Sequence, residues 1–451
     1  MPRRGALLAA PVLLVAGLLG GCSGSDSGPA PETPADIAAD GYVYGAAPVT
    51  LARTRASMTC LLPLNQLYSQ AQLSGPDSRT VVAPNVDTLY SIAWLDLRSG
   101  PVLLTHPDMG ARYFGFQFLD MYTNVFANVG TRETGAGAGS RVIVPPGWTG
   151  PAPEGAAVIE SPTWDAWMIG RTLVESAADL PAARAVQQQY SMRVLGGPVA
   201  GAPPSLPPTD CGNNPAPQAL AASGPEFFDE LSAILAADPP PAADRPLLDR
   251  IATVGVTPGA HPSQGPAAQV AALATGVVRG DAAVTALTAR PAGEDGAWSS
   301  LRAAGRYGTD YLLRALVARI GLGANVPEES MYYVARSGSD GGALRGDRGY
   351  RLHFAADSLP PTDPRGFWSV TLYGPDMFFV PNALGRYAIG DRTPGLVRGP
   401  DGSLDVWIGA TPPPSGQSNW LPAPAGEFVL MLRSYLPTAP DWTPPEPELK
   451  E

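Results

Sequence analysis

Lysine is almost missing from this chain: among 451 residues the only one is Lys450, beside the C-terminus. That excludes a phosphate loop of the G-x-x-x-x-G-K-[ST] type and a Schiff-base lysine in the folded body. Histidine is nearly as scarce. His106, His261 and His353 lie far apart in sequence, no H-E-x-x-H occurs, and a three-histidine zinc site would need all three to meet. Neither G-x-S-x-G nor G-x-G-x-x-G is present, which excludes a hydrolase elbow and a dinucleotide-binding turn. No cofactor and no metal are expected. Basic residues are also outnumbered, 30 Lys+Arg against 41 Asp+Glu. The formal charge of −11 argues against a nucleic-acid partner.

Long apolar runs are few. Ala6–Leu19 follows Arg3 and Arg4 and is too short to span a bilayer comfortably; no other segment is long and apolar enough. The run ends in Leu19-Gly20-Gly21-Cys22 and a Ser/Gly stretch, a pattern that resembles the lipobox of bacterial lipoproteins, in which the cysteine is acylated. Residues 1–21 are expected to be a lipoprotein signal peptide, Cys22 the lipidation site, and the location the extracytoplasmic face of a cell membrane. Cysteine totals three, so Cys60 and Cys211 remain, and two thiols in an oxidising compartment suggest a disulfide.

What is abundant fits a globular chain. Hydrophobic residues make up 45% and charged residues 16%, enough apolar material for a sizeable core. Glycine and proline number 51 each, which favours short strands and many turns over a helical bundle. After a flexible tether over 22–35, Ile37–Ser57 has a helical pattern. The period then changes to two. Leu89–Leu97 places Tyr90, Ile92, Trp94 and Asp96 on one side, and Tyr113–Leu119 groups Phe114, Phe116 and Phe118. The spacing predicts helices over Ala182–Val194, Pro225–Leu235, Ala267–Arg290 and Tyr307–Ile320. Strands return at Tyr350–Phe354, Phe367–Tyr373, Leu404–Ile408 and Phe428–Tyr435. The expected class is β-rich α+β. An N-terminal β-rich domain spans 36–181, a helical, Pro/Ala-rich connection 182–330, a C-terminal β-sandwich or jelly roll 331–443, and a loose tail 444–451.

Two polar clusters stand out. The first holds Asn85, Asp87, Tyr90, Asp120, Tyr122, Asn124, Arg132 and Glu133. Two carboxylates whose environments split their pKa values can divide acid and base roles, so Asp87 and Asp120 are the expected catalytic pair. Asn85, Tyr90, Tyr122, Asn124 and Arg132 would position a glycan or another small polar substrate. Asp and Asn at strand ends also make turns through their own backbones. Asp87, Asp120 and Glu133 are a weaker set of oxygen ligands for calcium, without EF-hand spacing. In the second cluster Arg386 and Asp391 are expected to pair across a loop, with a hairpin turn at Asp401-Gly402.

The same segments carry a resemblance. Asn85-Val-Asp-Thr-Leu-Tyr-Ser91, Asp120-Met-Tyr-Thr-Asn124, Gly130-Thr-Arg-Glu-Thr-Gly135, Pro146-Gly-Trp148 and Gly170-Arg-Thr172 resemble the bacterial family of domain of unknown function 1254. Phe367-Trp-Ser-Val-Thr-Leu-Tyr373, Arg386-Tyr-Ala-Ile-Gly-Asp391, Asp401-Gly-Ser-Leu404 and Asn419-Trp-Leu-Pro-Ala-Pro424 resemble its C-terminal partner, domain of unknown function 1214. The resemblance covers roughly 37–440. It implies two β-rich domains with helices between them and a homo-oligomer, and it implies no catalytic residue. Three functions follow as expectations: a lipid-anchored envelope hydrolase using paired carboxylates, a non-catalytic binding lipoprotein with a ligand between the sandwiches, or a structural and assembly protein.

Overall fold

The computed structural model describes residues 32–450 apart from 209, 212–215, 218 and 289–295. Cys22, the signal segment and most of the tether lie outside the described residues.

Among the described residues the N-terminal half supplies nine strands: β1 (Tyr68–Ser69), β2 (Thr88–Asp96), β3 (Val102–His106), β4 (Phe114–Asp120), β5 (Val125–Gly130), β6 (Gly139–Val144), β7 (Ala157–Glu160), β8 (Asp165–Leu173) and β9 (Ser191–Val194). They build a five-stranded sheet ordered β1-β2-β8-β4-β5 and a four-stranded sheet ordered β7-β6-β3-β9. The C-terminal half supplies β10 (Trp298–Ser300), β11 (Ser330–Ala335), β12 (Tyr350–Phe354), β13 (Thr362–Tyr373), β14 (Ala388–Gly390), β15 (Leu404–Gly409), β16 (Trp420–Pro422), β17 (Val429–Pro437) and β18 (Glu448–Leu449). Their sheets are ordered β10-β11-β17-β13-β14 and β16-β15-β12-β18. Each half is thus a five-stranded sheet backed by a four-stranded one, the β-rich α+β class expected.

Alternation decides what each face buries. In β4, Phe114, Phe116 and Phe118 point with Ala93 and Leu95 of β2 into the first sandwich core, against Val102 and Leu104 of the smaller sheet. The second sandwich is filled in the same way by Trp368, Val370, Leu430 and Leu432 against Leu352, Phe354, Leu404 and Val406. The opposite faces of the two larger sheets share a third core, with Ile92, Trp94 and Trp167 on one side and Val334, Tyr373 and Met431 on the other. Trp94 and Trp167 stack there, with ring centroids 5.1 Å apart and planes 2° from parallel. Burying each indole contributes on the order of 4 kcal/mol of transfer free energy.

Six α-helices lie among the described residues: α1 (Pro34–Thr59), α2 (Leu180–Gln187), α3 (Glu226–Ala237), α4 (Arg245–Ala252), α5 (Ala267–Thr288) and α6 (Tyr311–Gly321). Phe227, Leu231 and Ile234 of α3 share a buried face, as the spacing predicts, and they meet Tyr42 and Val49 of α1. The helix expected over 182–194 is half right. α2 ends at Gln187, and Ser191–Val194 becomes β9, pairing Ser191 with Thr105 and Val194 with Val102. A free edge of β3 takes the short alternating stretch Ser-Met-Arg-Val, so tertiary pairing overrides the helical reading. α5 also departs from expectation: by length and composition alone it is long and apolar enough to cross a membrane. Here its Leu273, Val277 and Val284 are buried in the helical core that α1 shares.

Candidate functional site

The structure separates the two carboxylates expected to work as a pair. Thr88, next to Asp87, pairs with Leu173 of β8, whereas Asp120 pairs with Ala166 of the same strand. The seven steps from Ala166 to Leu173 span about 23 Å at ~3.3 Å per residue. Acid and base flanking a glycosidic bond sit within about 5–10 Å. The paired-carboxylate expectation is therefore overturned.

Each carboxylate has its own structural employment. Asp87 accepts from Arg392 at 2.6 Å and from Ser369 Oγ at 2.7 Å, tying the first sandwich to the second. Asp120 accepts the backbone N–H groups of Tyr122 and Asn124, both at 2.9 Å, and the Asn124 amide. Burial raises its carboxyl to about 6, against the pull of those same donors. The local alternative, an Asp closing its own turn, is what the chain adopts. Tyr122 points into the helical core and donates to the Asp238 carbonyl at 2.6 Å. Arg132 pairs with Glu329 and Glu133, each at 2.8 Å. β5 ends at Gly130, which pairs with Gly115, so Glu133 follows at the Asp87 end of the sheet and the calcium trio is not assembled. In the second cluster Arg386 does not pair with Asp391. It donates to the carbonyls of Gln417, Ser418 and Trp420. Asp401 does close its turn, accepting from the backbone and hydroxyl of Ser403.

Of the expected substrate-binding set, Asn85 and Tyr90 line one cavity, and Tyr122, Asn124 and Arg132 are not in its walls. It has a volume of about 620 Å³ and opens between the two larger sheets. Period two explains its walls. β8 turns Trp167, Ile169 and Arg171 to one face, and β17 turns Met431, Arg433 and Tyr435 to the facing one. Tyr332 of β11 and Tyr90 of β2 lie beside them. The central strand of each larger sheet thus presents one arginine, Arg171 and Arg433, 6% and 3% exposed. Arg171 donates to Gln117 Oε1 at 2.7 Å and to the Gly323 carbonyl at 2.9 Å. Arg433 donates to Thr371 Oγ1 at 3.2 Å and to the Ala83 carbonyl at 2.6 Å. Asn85 closes a turn with its Oδ1, accepting from Asp87 N and Thr88 N. Its Nδ2 donates to the hydroxyls of Tyr90 and Tyr435, both at 3.0 Å.

Arg171, Arg433, Tyr332 and Tyr435 carried no role in the sequence reading. Their signal was available: one arginine inside each of two otherwise apolar strands, Trp-Met-Ile-Gly-Arg and Val-Leu-Met-Leu-Arg. A charge inside a strand buried on both faces needs a reason. At the mouth, Cys60 is bonded to Cys211 with Cα atoms 5.7 Å apart. Leu61 and Leu62, the next two residues, line the cavity.

Comparison with known proteins now places these halves. Residues 64–194 match the family model Protein of unknown function (DUF1254), and residues 329–439 match Protein of unknown function (DUF1214). The chain carries both domains. The cavity therefore lies between them, with Asn85, Tyr90 and Arg171 from the DUF1254 domain and Tyr332, Arg433 and Tyr435 from the DUF1214 domain. The crystal structure of the VPA0106 protein from Vibrio parahaemolyticus is similar at a TM-score of 0.67 and 23% identity, over 93% of this chain and 100% of that one. That likeness is one of fold. An uncharacterized protein from Burkholderia cenocepacia aligns at a TM-score of 0.44 and 16% identity, over 93% of this chain and 90% of that one. No curated protein matches the chain.

Proposed function

We propose that the protein is a lipid-anchored, extracytoplasmic binding protein that holds a largely apolar small molecule between its DUF1254 and DUF1214 domains. The observation that carries this reading is the cavity itself. About 620 Å³ is the size of a ligand site, and its position between domains, with apolar walls and a few converging polar groups, is where such sites occur. The hydrolase reading loses its chemistry, because Asp87 and Asp120 stand at opposite ends of a sheet and each is occupied by its own donors. Membrane attachment through Cys22 is supported by the Leu19-Gly-Gly-Cys22 motif. A disulfide between Cys60 and Cys211 suits the oxidising side of the membrane.

The test uses the chain with Cys22→Ser, which removes the acylation site, and the neutral solvatochromic dye Nile red. Dye fluorescence is expected to rise saturably on mixing, and tryptophan emission to change with it, since Trp167 lines the cavity. Ile92→Trp places an indole in the space and is expected to weaken dye binding at least tenfold. Absence of saturable binding, or binding that Ile92→Trp leaves intact, refutes the cavity as the site.

A further inference from the structure

Among the described residues the buried arginines are Arg53, Arg55, Arg98, Arg171, Arg314 and Arg433. Four stand against a carboxylate: Arg53 with Glu230 at 2.5 Å, Arg55 and Arg98 with Asp165 at 2.8 and 2.6 Å, and Arg314 with Asp244 at 3.9 Å. Arg171 and Arg433 have no carboxylate partner among the described residues. They are also the two that line the interdomain cavity.

Their hydrogen bonds run to neutral acceptors, two carbonyls, an amide and a hydroxyl, and the buried Nε of Arg171 has no partner. A guanidinium keeps its charge at any working pH. Burying one without a counter-charge is strongly unfavourable, which is why buried charges are otherwise paired. Tyr435 does not supply that charge. Burial holds the Tyr435 hydroxyl well above its ordinary value, so it stays an O–H donor. The Asn85 amide donates to the oxygens of Tyr90 and Tyr435, which leaves both hydroxyl protons for an acceptor in the cavity. Of the carboxylates nearby, Asp87 is paired with Arg392 at 2.6 Å, and Glu329, near enough to feel the Arg171 charge, is paired with Arg132 at 2.8 Å; Asp77 in the cavity lining is exposed and makes no ion pair with either arginine. Two buried cations without an ion-pair partner and two hydroxyl donors therefore face a space whose walls are largely apolar.

We propose that the cavity takes an amphipathic oxyanion, a carboxylate or phosphate head on an apolar body, with the head held by Arg171 and Arg433. The proposal rests on the binding reading above and adds the chemistry of the ligand to it. Its missing partner is negative charge, and an oxyanion supplies that charge together with acceptors for the guanidinium and hydroxyl protons.

Displacement of bound Nile red from the Cys22→Ser chain by decanoate, decyl phosphate and decanol separates the two claims. Either anion is expected to displace the dye at a concentration at least tenfold below that of decanol. Arg171→Met and Arg433→Met, close in volume and uncharged, are each expected to reduce that anion-to-alcohol ratio at least fivefold. Without ligand both variants are expected to melt above the parent chain, because an uncompensated buried charge is gone. Decanoate should then raise the melting temperature of the parent chain and not of the variants. Saturable dye binding with decanol as effective as the anions overturns this proposal and leaves the binding reading standing. Variants that keep the anion preference overturn it equally. No dye binding at all removes the binding reading, and this proposal with it. If a methionine variant fails to fold, the acid-to-alcohol ratio of the parent chain decides.

Discussion

Asp120 is a carboxylate held for a turn and kept in a place where its charge is unwelcome. It is 2% exposed, and burial raises its carboxyl from 3.8 to about 6 although three donors converge on it. Between pH 3.8 and about 6 the folded chain binds more protons than the unfolded chain. Stability therefore falls as pH rises through that window and is level above it. A shift of this size corresponds to about 3 kcal/mol if fully realised. Asp120→Asn keeps an oxygen for the Tyr122 and Asn124 N–H groups and buries no charge. Its stability relative to the parent chain is expected to improve by about 1–3 kcal/mol between pH 4 and pH 7.5 in urea titrations. Parallel curves across that window would refute the assignment. Asp87 is held by an ion pair instead, to Arg392, whose side chain is only 17% exposed. Asp87→Ala is expected to cost about 2–3 kcal/mol, since it strands a largely buried cation and the Ser369 hydroxyl. A loss under about 0.5 kcal/mol would mean that Asp391 and Glu175 suffice for Arg392.

At the scale of elements, α1 and α5 approach each other through glycine. A Cβ on Gly276 would lie 2.4 Å from the Ala38 Cβ and 2.7 Å from the Ala38 carbonyl carbon, so α1 backbone blocks it. Two effects oppose each other in Gly276→Ala. Helix propensity favours alanine by about 1 kcal/mol, whereas overpacking against backbone costs roughly 1–3 kcal/mol or more. The clash is expected to win, with a net loss of about 1–2 kcal/mol in denaturant unfolding. A neutral or stabilised variant would place the two helices further apart. Elements were also the scale at which the sequence was most legible. Tyr90, Ile92 and Trp94 do leave β2 on the face opposite the Phe114, Phe116 and Phe118 core, because alternation is a local consequence of the pleat. What lay outside its reach was pairing. Asp87 and Asp120 looked like neighbours until the β2-β8-β4 register set them at opposite ends. Arg171 and Arg433 acquire a shared site only because two sheets meet face to face, and no spacing along the chain encodes that meeting.

For the whole molecule, the question is what makes the two domains one unit. One answer is the apolar core between the larger sheets, which joins Trp94 and Trp167 to Val334, Tyr373 and Met431. The Cys60–Cys211 bond acts differently: with a sequence separation of 151 residues it closes a loop around the whole DUF1254 sandwich and pins its two ends together. In the chain-entropy model a loop of that length stabilises by about 5 kcal/mol, and native bonds more commonly contribute about 2–4. Unfolding entropy near 2.1 cal/mol/K per residue, taken over more than 400 residues, makes 1 kcal/mol worth only about 1 °C. The Cys60→Ser, Cys211→Ser double variant is therefore expected to melt about 2–5 °C lower than the parent chain. If the apolar core is the coupling, the variant still unfolds in a single calorimetric transition, because both sandwiches lose a wall when that core opens. Two separate transitions in the variant, against one in the parent, would show that the coupling also needs the ends of the DUF1254 sandwich pinned by the bond. The same variant loosens Leu61 and Leu62 at the cavity mouth, so its dye-exchange rate should rise even where equilibrium affinity changes little.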